Sequence, residues 1–250
     1  MESVVAAFVF FTRLPLWRLR ALRTSGSAFR RVITYWALVG WLTGGVMSGV
    51  VWLSAQLFPL QVAIVFAMLG RVLVTGALHE DGLADFMDGF GGGGGDRERT
   101  LEIMKDSHTG VYGVAGLIFY FLLLFLSLSG LQLPEVCLVI LIADPFCKFV
   151  ASQVTLFLPY ARTAGTSKSG VVYDRMSAGS FALSAFFGLL PLALVPHAVW
   201  LMAAFFPLAV CPALLLLMKR RIGGYTGDCC GALFLLCELS FYLGSLIILT

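Results

Sequence analysis

The densest chemistry in this sequence lies between residues 80 and 106, where eight of its fourteen acidic residues fall: Glu80, Asp81, Asp85, Asp88, Asp96, Glu98, Glu102 and Asp106. Within HEDGLADFMDG, residues 79–89, Asp81, Asp85 and Asp88 stand at i, i+4 and i+7. That spacing puts three carboxylates on one face of a helix, and Gly82 and Gly89 leave the face uncrowded. Carboxylates in such a row repel one another unless a cation lies between them. Hard oxygen donors without thiols suit Mg²⁺, with Mn²⁺ as a substitute, the ion completing its shell with oxygens of a phosphorylated substrate. The competing explanation is a solvated acidic loop beside a span. Residues 96–107, DRERTLEIMKDS, add Arg97, Arg99 and Lys105 as candidate anion binders and return Asp106 toward the acids. Contact with a membrane surface accounts for Arg97 and Arg99 equally well. His79 is either a catalytic group or a residue capping the end of a span.

The elements that must position these residues are membrane helices. Hydrophobic residues make up 59% of the 250-residue chain and charged residues only 12%, with a mean hydropathy of +0.93. These values describe an integral membrane protein and exclude a disordered chain, a secreted disulfide scaffold and a nucleic-acid-binding domain. The six cysteines show no CxxC spacing and read as small buried hydrophobes. Crossing about 30 Å of hydrocarbon takes roughly 20 mostly apolar residues. Seven segments qualify: 32–57, 60–78, 111–129, 134–158, 180–196, 198–218 and 227–249. The first 17 residues are interrupted by Arg13 and Pro15; they predict a short interfacial or re-entrant helix and lack the pattern of a cleaved leader. The expected fold is all-α, one polytopic membrane helix bundle of about seven transmembrane helices over residues 1–250, without internal repeats. Gly91–Gly95 must turn or flex, because five successive glycines do not hold a helix.

Charge placement orients the bundle. The connections near 58–59, 130–133 and 196–198 contain no Lys or Arg, whereas the alternate set carries Arg18, Arg20, Arg23, Arg30 and Arg31, then Arg97, Arg99 and Lys105, then Arg162, Lys168 and Arg175, then Lys219, Arg220 and Arg221. Lys and Arg close to spans mark the cytoplasmic side, which places the N-terminus inside, Thr250 outside and the acidic segment on the cytoplasmic face.

Ionisable residues inside apolar spans are candidates for function. Asp144 and Lys148 form an i, i+4 pair that would neutralise itself within the bundle. Arg71, shortly before the acidic block, is a counter-ion candidate. Asp228, in GGYTGDCCGA at 223–232, is either a helix N-cap or a further metal- or phosphate-site residue. Glu238 lies too deep in its span to be a cap.

The combination TGALHEDGLADFMDG (75–89), RERTLEIMKDSHTGVYG (97–113), GGYTGDCCGA (223–232) and FFTRLP (10–15) resembles the cobalamin synthase family, the adenosylcobinamide-GDP ribazoletransferases. The blocks are in the family's order, and a weaker likeness extends over the full chain. The Gly91–Gly95 run is longer than the family's version and the TAGTSKSG stretch after Arg162 is less acidic, so only Arg162 is carried over there. The resemblance implies a bacterial inner-membrane transferase with a cytoplasmic active site and dependence on Mg²⁺. Such an enzyme joins α-ribazole, or its 5′-phosphate, to adenosylcobinamide-GDP and releases GMP. It implies metal binding by Asp81, Asp85, Asp88 and Asp106 and binding of substrate phosphates by Arg97, Arg99, Lys105 and Arg162, with Asp228 at the same site. His79, Asp88 and Asp106 are the candidates for a general base. Two other readings compete. A CDP-alcohol phosphotransferase would require an Ala-Arg pair soon after the DG and a later Asp-x-x-x-Asp, which FGGGGGDRER does not supply. A transporter would use Asp144 and Lys148 as an ion path but leaves the loop acids unexplained.

Overall fold

The computed structural model describes residues 2–16, 25–162 and 171–250; Arg18, Arg20, Arg23, Lys168 and the TAGTSKSG stretch lie outside them. The described chain is all-helical: α1 (Glu2–Phe11), α2 (Trp36–Ser54), α3 (Leu60–Thr75), α4 (Leu78–Gly92), α5 (Arg97–Ile103), α6 (Val111–Ser129), α7 (Leu133–Ser152), α8 (Val154–Phe157), α9 (Ala178–Leu189), α10 (Phe205–Ile222) and α11 (Gly227–Leu249). Short 3₁₀ segments run at Gly26–Tyr35, Leu190–Leu194 and Ala198–Ala204. An isolated parallel bridge between Tyr160 and Tyr225 is the extended pairing among these residues.

The count of seven spans is not confirmed by length and composition. Four helical stretches among the described residues are long and apolar enough to cross a membrane, Gly26–Ser54, Val111–Ser129, Ala198–Ile222 and Gly227–Leu249, and a fifth arises if α3 and α4 form one broken span. The architecture is consistent with a multi-pass membrane protein. The span expected at 134–158 corresponds to α7, which carries Glu135, Asp144 and Lys148 and buries the last two completely, as expected of a pair inside the bundle. It is a helix of the bundle interior. The 180–196 run shortens: α9 ends at Leu189 and a 3₁₀ segment with Pro191 follows, as expected where a residue without an N–H interrupts the helical ladder.

Two helices organise the interior. α11 is buried along most of its length, from Cys229 to Ser245, and packs against α4, α7 and α10; a helix apolar all round belongs inside a bundle. α7 packs against α2 through small residues: a Cβ on Gly40 would lie 2.5 Å from the Pro145 Cα, and one on Gly44 would lie 3.0 Å from the Asp144 Cβ. At that close approach Asp144 and Lys148 form the expected buried ion pair, completed by the Thr43 hydroxyl, which donates to Asp144 at 2.8 Å and accepts from Lys148 at 2.7 Å. Arg71 is a counter-ion, though chiefly for Glu238, and its second nitrogen donates to the Tyr120 hydroxyl at 2.6 Å. Glu80 lies 3.8 Å from it. The buried carboxylate of Glu238 thus has a partner on α3 and accepts the Tyr242 hydroxyl at 3.0 Å.

The segment expected at 60–78 does not continue straight. Gly76 (φ 66°) and Ala77 (φ 56°) are successive left-handed residues, and the axis turns by 91° from α3 into α4. Ala77 is the one non-glycine residue with positive φ among those described, a conformation of order 1–3 kcal/mol above the helical one. The FFTRLP block secures this bend: the Arg13 amide donates to Val74 O at 2.7 Å, and its side chain covers Gly76 so closely that a Cβ there would meet Nε at 2.1 Å. The glycine run also departs from expectation. α4 extends through Gly91 and Gly92, and the turn is made by Gly94 and Gly95 at φ 62° and 93°. Asp96 then caps α5, accepting the amides of Glu98 and Arg99 at 2.8 and 3.1 Å.

Candidate active site

The segment 79–89 is helical, as the carboxylate spacing predicts, and α4 lies against the start of α11 with almost nothing between the backbones. A Cβ on Gly82 would meet the Asp228 carbonyl oxygen at 2.9 Å, and one on Gly231 would meet the His79 carbonyl oxygen at 3.0 Å. This crossing brings the HEDG and TGDCCG motifs, far apart in sequence, to one cavity of about 230 Å³. His79, Asp81, Arg162 and Asp228 line it together with Phe10, Phe11, Trp36, Tyr160 and Tyr173. Four of the predicted site residues therefore share one cavity. The aromatic walls carry no sequence signal apart from the FFTRLP block, because aromatic residues are spread throughout the chain.

Asp81 is exposed at the mouth of this cavity, with Arg162 and Asp228 half-buried beside it. Asp228 occupies the first turn of α11 without capping it; Thr226 is the N-cap, its hydroxyl accepting the Cys229 amide at 3.3 Å. The positive dipole end of α11 favours an anion at this position. Arg162 is held by a donation from Nη2 to Leu101 O at 3.0 Å. Its segment is fixed by the bridge in which the Ala161 amide donates to Tyr225 O at 2.8 Å and the Tyr225 amide to Pro159 O at 3.0 Å. Burial pushes the Tyr173 hydroxyl well above the usual range, so this wall stays neutral. On the dry side His79 is 3% exposed, and its Nε2 has no hydrogen-bond partner.

The other predicted residues are placed elsewhere. Asp88 accepts the amides of Gly110 at 2.6 Å and Gly113 at 2.9 Å and thereby caps the start of α6. Asp85 is buried on the same helix between it and Asp81. Asp106 is exposed and receives the backbone N–H of His108 at 3.0 Å, with the His108 ring 2.7 Å away; hydrogen bonding to His108 holds its carboxyl below the usual range. Arg97 acts as a strap, donating to Ile222 O at 3.0 Å and Ala161 O at 2.7 Å. Arg99 and Lys105 are exposed on and after α5. Among the described residues no group of three or more His, Cys, Asp or Glu side chains gathers as a metal cage. The chemistry of the donors at the cavity still fits Mg²⁺, which is ordinarily held by one or two carboxylates plus substrate phosphates and water. Asp81 and Asp228 are two such carboxylates.

A family model described as cobalamin-5-phosphate synthase matches residues 3–246. A protein of Vibrio parahaemolyticus named adenosylcobinamide-GDP ribazoletransferase is 38% identical over 246 residues, covering 97% of this chain and 91% of its own. Proteins of the same name from Shewanella amazonensis and Leptothrix cholodnii are each 37% identical, over 97% and 95% of this chain and 94% and 92% of theirs. No solved structure matches. With its motif residues meeting at one cavity and the match running nearly end to end, the chain belongs to the cobalamin-5-phosphate synthase family.

Proposed function

We propose that this protein is an adenosylcobinamide-GDP ribazoletransferase that takes α-ribazole or its 5′-phosphate as acceptor. The observation that carries the reading is the meeting of Asp81, Arg162 and Asp228 at one cavity in a chain matched by its family over nearly all its length. A ribazole hydroxyl attacks the corrinoid-side phosphorus of the pyrophosphate, a new P–O bond forms, the bond to GMP breaks and the hydroxyl proton is lost. Such transfers depend on positioning and on neutralising charge at phosphate oxygens. Arg162 and the start of α11 bind the phosphates, and Asp81 and Asp228 would hold Mg²⁺. When bound, that ion polarises the phosphoryl oxygens and neutralises the leaving group. Of the three candidate bases, His79 alone lines the cavity, on its buried floor rather than at the charged mouth where the hydroxyl reacts. Asp88 is committed to the amides of α6 and Asp106 to His108.

The Lys and Arg distribution supports insertion in a bacterial inner membrane with the cavity toward the cytoplasm. The decisive assay uses purified protein in liposomes with Mg²⁺, adenosylcobinamide-GDP and α-ribazole. Stoichiometric GMP and cobalamin are expected; GMP release without cobalamin, or neither product, overturns the assignment.

A further inference from the structure

The cavity is graded from wet to dry. Its charged groups stand at the mouth, whereas Phe11, Trp36 and His79 form a floor that is 3%, 1% and 3% exposed. The floor is a compact cluster of near-parallel rings, with Phe11 and His79 centroids also only 6.3 Å apart. Phe11 lies over Trp36 with centroids 5.1 Å apart and planes 14° from parallel, and Trp36 over His79 at 5.6 Å and 26°. Phe10 meets Phe11 edge-on at 5.0 Å. Two polar atoms of this cluster, Trp36 Nε1 and His79 Nε2, are buried without a hydrogen-bond partner. Buried polar groups are nearly always paired, so two orphans on one cavity wall call for an explanation.

We infer that this floor is the subsite for the aromatic base of the nucleoside acceptor, which enters base first and leaves its ribose hydroxyls at the charged mouth. The inference rests on the transferase reading for the identity of the nucleoside. Flat aromatic rings are held by stacked or edge-on aromatic side chains, and the benzimidazole ring of α-ribazole brings one unsubstituted nitrogen, an acceptor that suits Trp36 Nε1–H. The volume supports the assignment: about 230 Å³ falls below the roughly 300–1,000 Å³ of pockets that enclose drug-sized ligands, which suits a nucleoside and excludes a corrin macrocycle. The corrinoid must therefore lie outside, with its pyrophosphate over Asp81, Arg162 and Asp228. In that pose it covers the nucleoside, so the nucleoside has to bind first.

Trp36→Phe keeps the ring and removes the N–H. Calorimetry of detergent-purified protein with α-ribazole alone should show wild-type binding without any corrinoid, and a dissociation constant about tenfold higher in the variant, the loss expected for one hydrogen bond. In turnover, KM for α-ribazole should rise while KM for adenosylcobinamide-GDP stays at the wild-type value. Phe11→Leu, which removes one stacking face, provides the same reading should Trp36→Phe fail to fold. The inference is overturned if wild-type protein binds α-ribazole only with corrinoid present, or if the variants raise the corrinoid KM and leave α-ribazole binding intact. Binding is read without turnover, so its failure is distinguishable from failure of the transferase reading, which would appear as absence of GMP from wild-type enzyme.

Discussion

The carboxylate of Asp88 accepts the backbone amide of Gly110 at 2.6 Å, across 22 residues of sequence. With the Gly113 amide at 2.9 Å on its other oxygen, it ties the end of the acidic helix α4 to the start of α6. Both glycines are required: a Cβ on Gly110 or Gly113 would fall 2.6 or 2.4 Å from that carboxylate. Asp88→Asn replaces one accepting oxygen with a donor facing an N–H. It should destabilise the protein by about 1–3 kcal/mol, the cost of stranding a buried hydrogen-bonding group, and lower the melting temperature in detergent. Asp81→Asn, at the exposed mouth, should leave the melting temperature unchanged. Equal melting of the two variants would remove the structural role assigned to Asp88.

Asp144 and Lys148 should show the signature of a buried pair. Each single neutralisation, Asp144→Asn or Lys148→Met, strands a charge in a completely buried site and should cost about 3–5 kcal/mol. The double variant should be milder than either. The effect should reach the cavity, since the Lys148 ammonium sits 4.3 Å from the Phe234 ring centroid and Phe234 meets His79 edge-on at 5.0 Å. Melting curves of the three proteins decide the matter, and a double variant worse than both singles contradicts the pairing.

Gly82→Ala tests the helix crossing that builds the cavity. The added Cβ would lie 2.9 Å from the Asp228 carbonyl oxygen, a backbone atom that cannot swing away. α4 must retreat from α11, carrying Asp81 away from Asp228. A misplacement of about 1 Å at a reacting centre can cost about 10²-fold in rate, and a loss of that order in kcat is expected. Gly45→Ala on α2, which has open space around it, should retain wild-type activity. Full activity of Gly82→Ala would show that the crossing does not set the site.

The extent to which this site is legible in sequence follows from how local each feature is. The i, i+4, i+7 acids lie on a helix because that spacing is a local property, and the Asp144–Lys148 pair lies within one turn of α7. The diversion of Asp88 to Gly110 and of Arg97 to Ile222 and Ala161 depends on residues 22, 125 and 64 positions away, which no window of sequence contains. Hydropathy counts apolar residues but registers neither the two left-handed residues that bend the chain after Thr75 nor the burial of a charged helix such as α7. Trp36 carries no motif; only its stacking on Phe11 and His79 marks it as part of the cavity.

The proposed orientation is checked by labelling. In a cysteine-free background, Ser107→Cys, in the exposed segment after α5, and His197→Cys, in the exposed connection before α10, should report opposite sides of the membrane. An impermeant maleimide added to intact cells should label position 197, and position 107 only after the inner membrane is opened. Labelling of position 107 in intact cells reverses the topology.

The central claim is that Asp81 and Asp228, joined by the α4–α11 crossing, form the reacting end of one cavity with Mg²⁺. The most direct measurement is the Mg²⁺ dependence of GMP and cobalamin formation by reconstituted wild-type, Asp81→Asn and Asp228→Asn proteins, with Asp96→Asn as a control on the N-cap of α5. Loss of one ligand to the ion should lower kcat by about 10²-fold or more, since charge stabilisation by a metal is worth several kcal/mol and each 1.36 kcal/mol is tenfold in rate. Both variants should keep the wild-type melting temperature and require more Mg²⁺ for half-maximal rate, while Asp96→Asn retains most activity. Wild-type turnover and Mg²⁺ dependence in Asp81→Asn and Asp228→Asn would contradict the account.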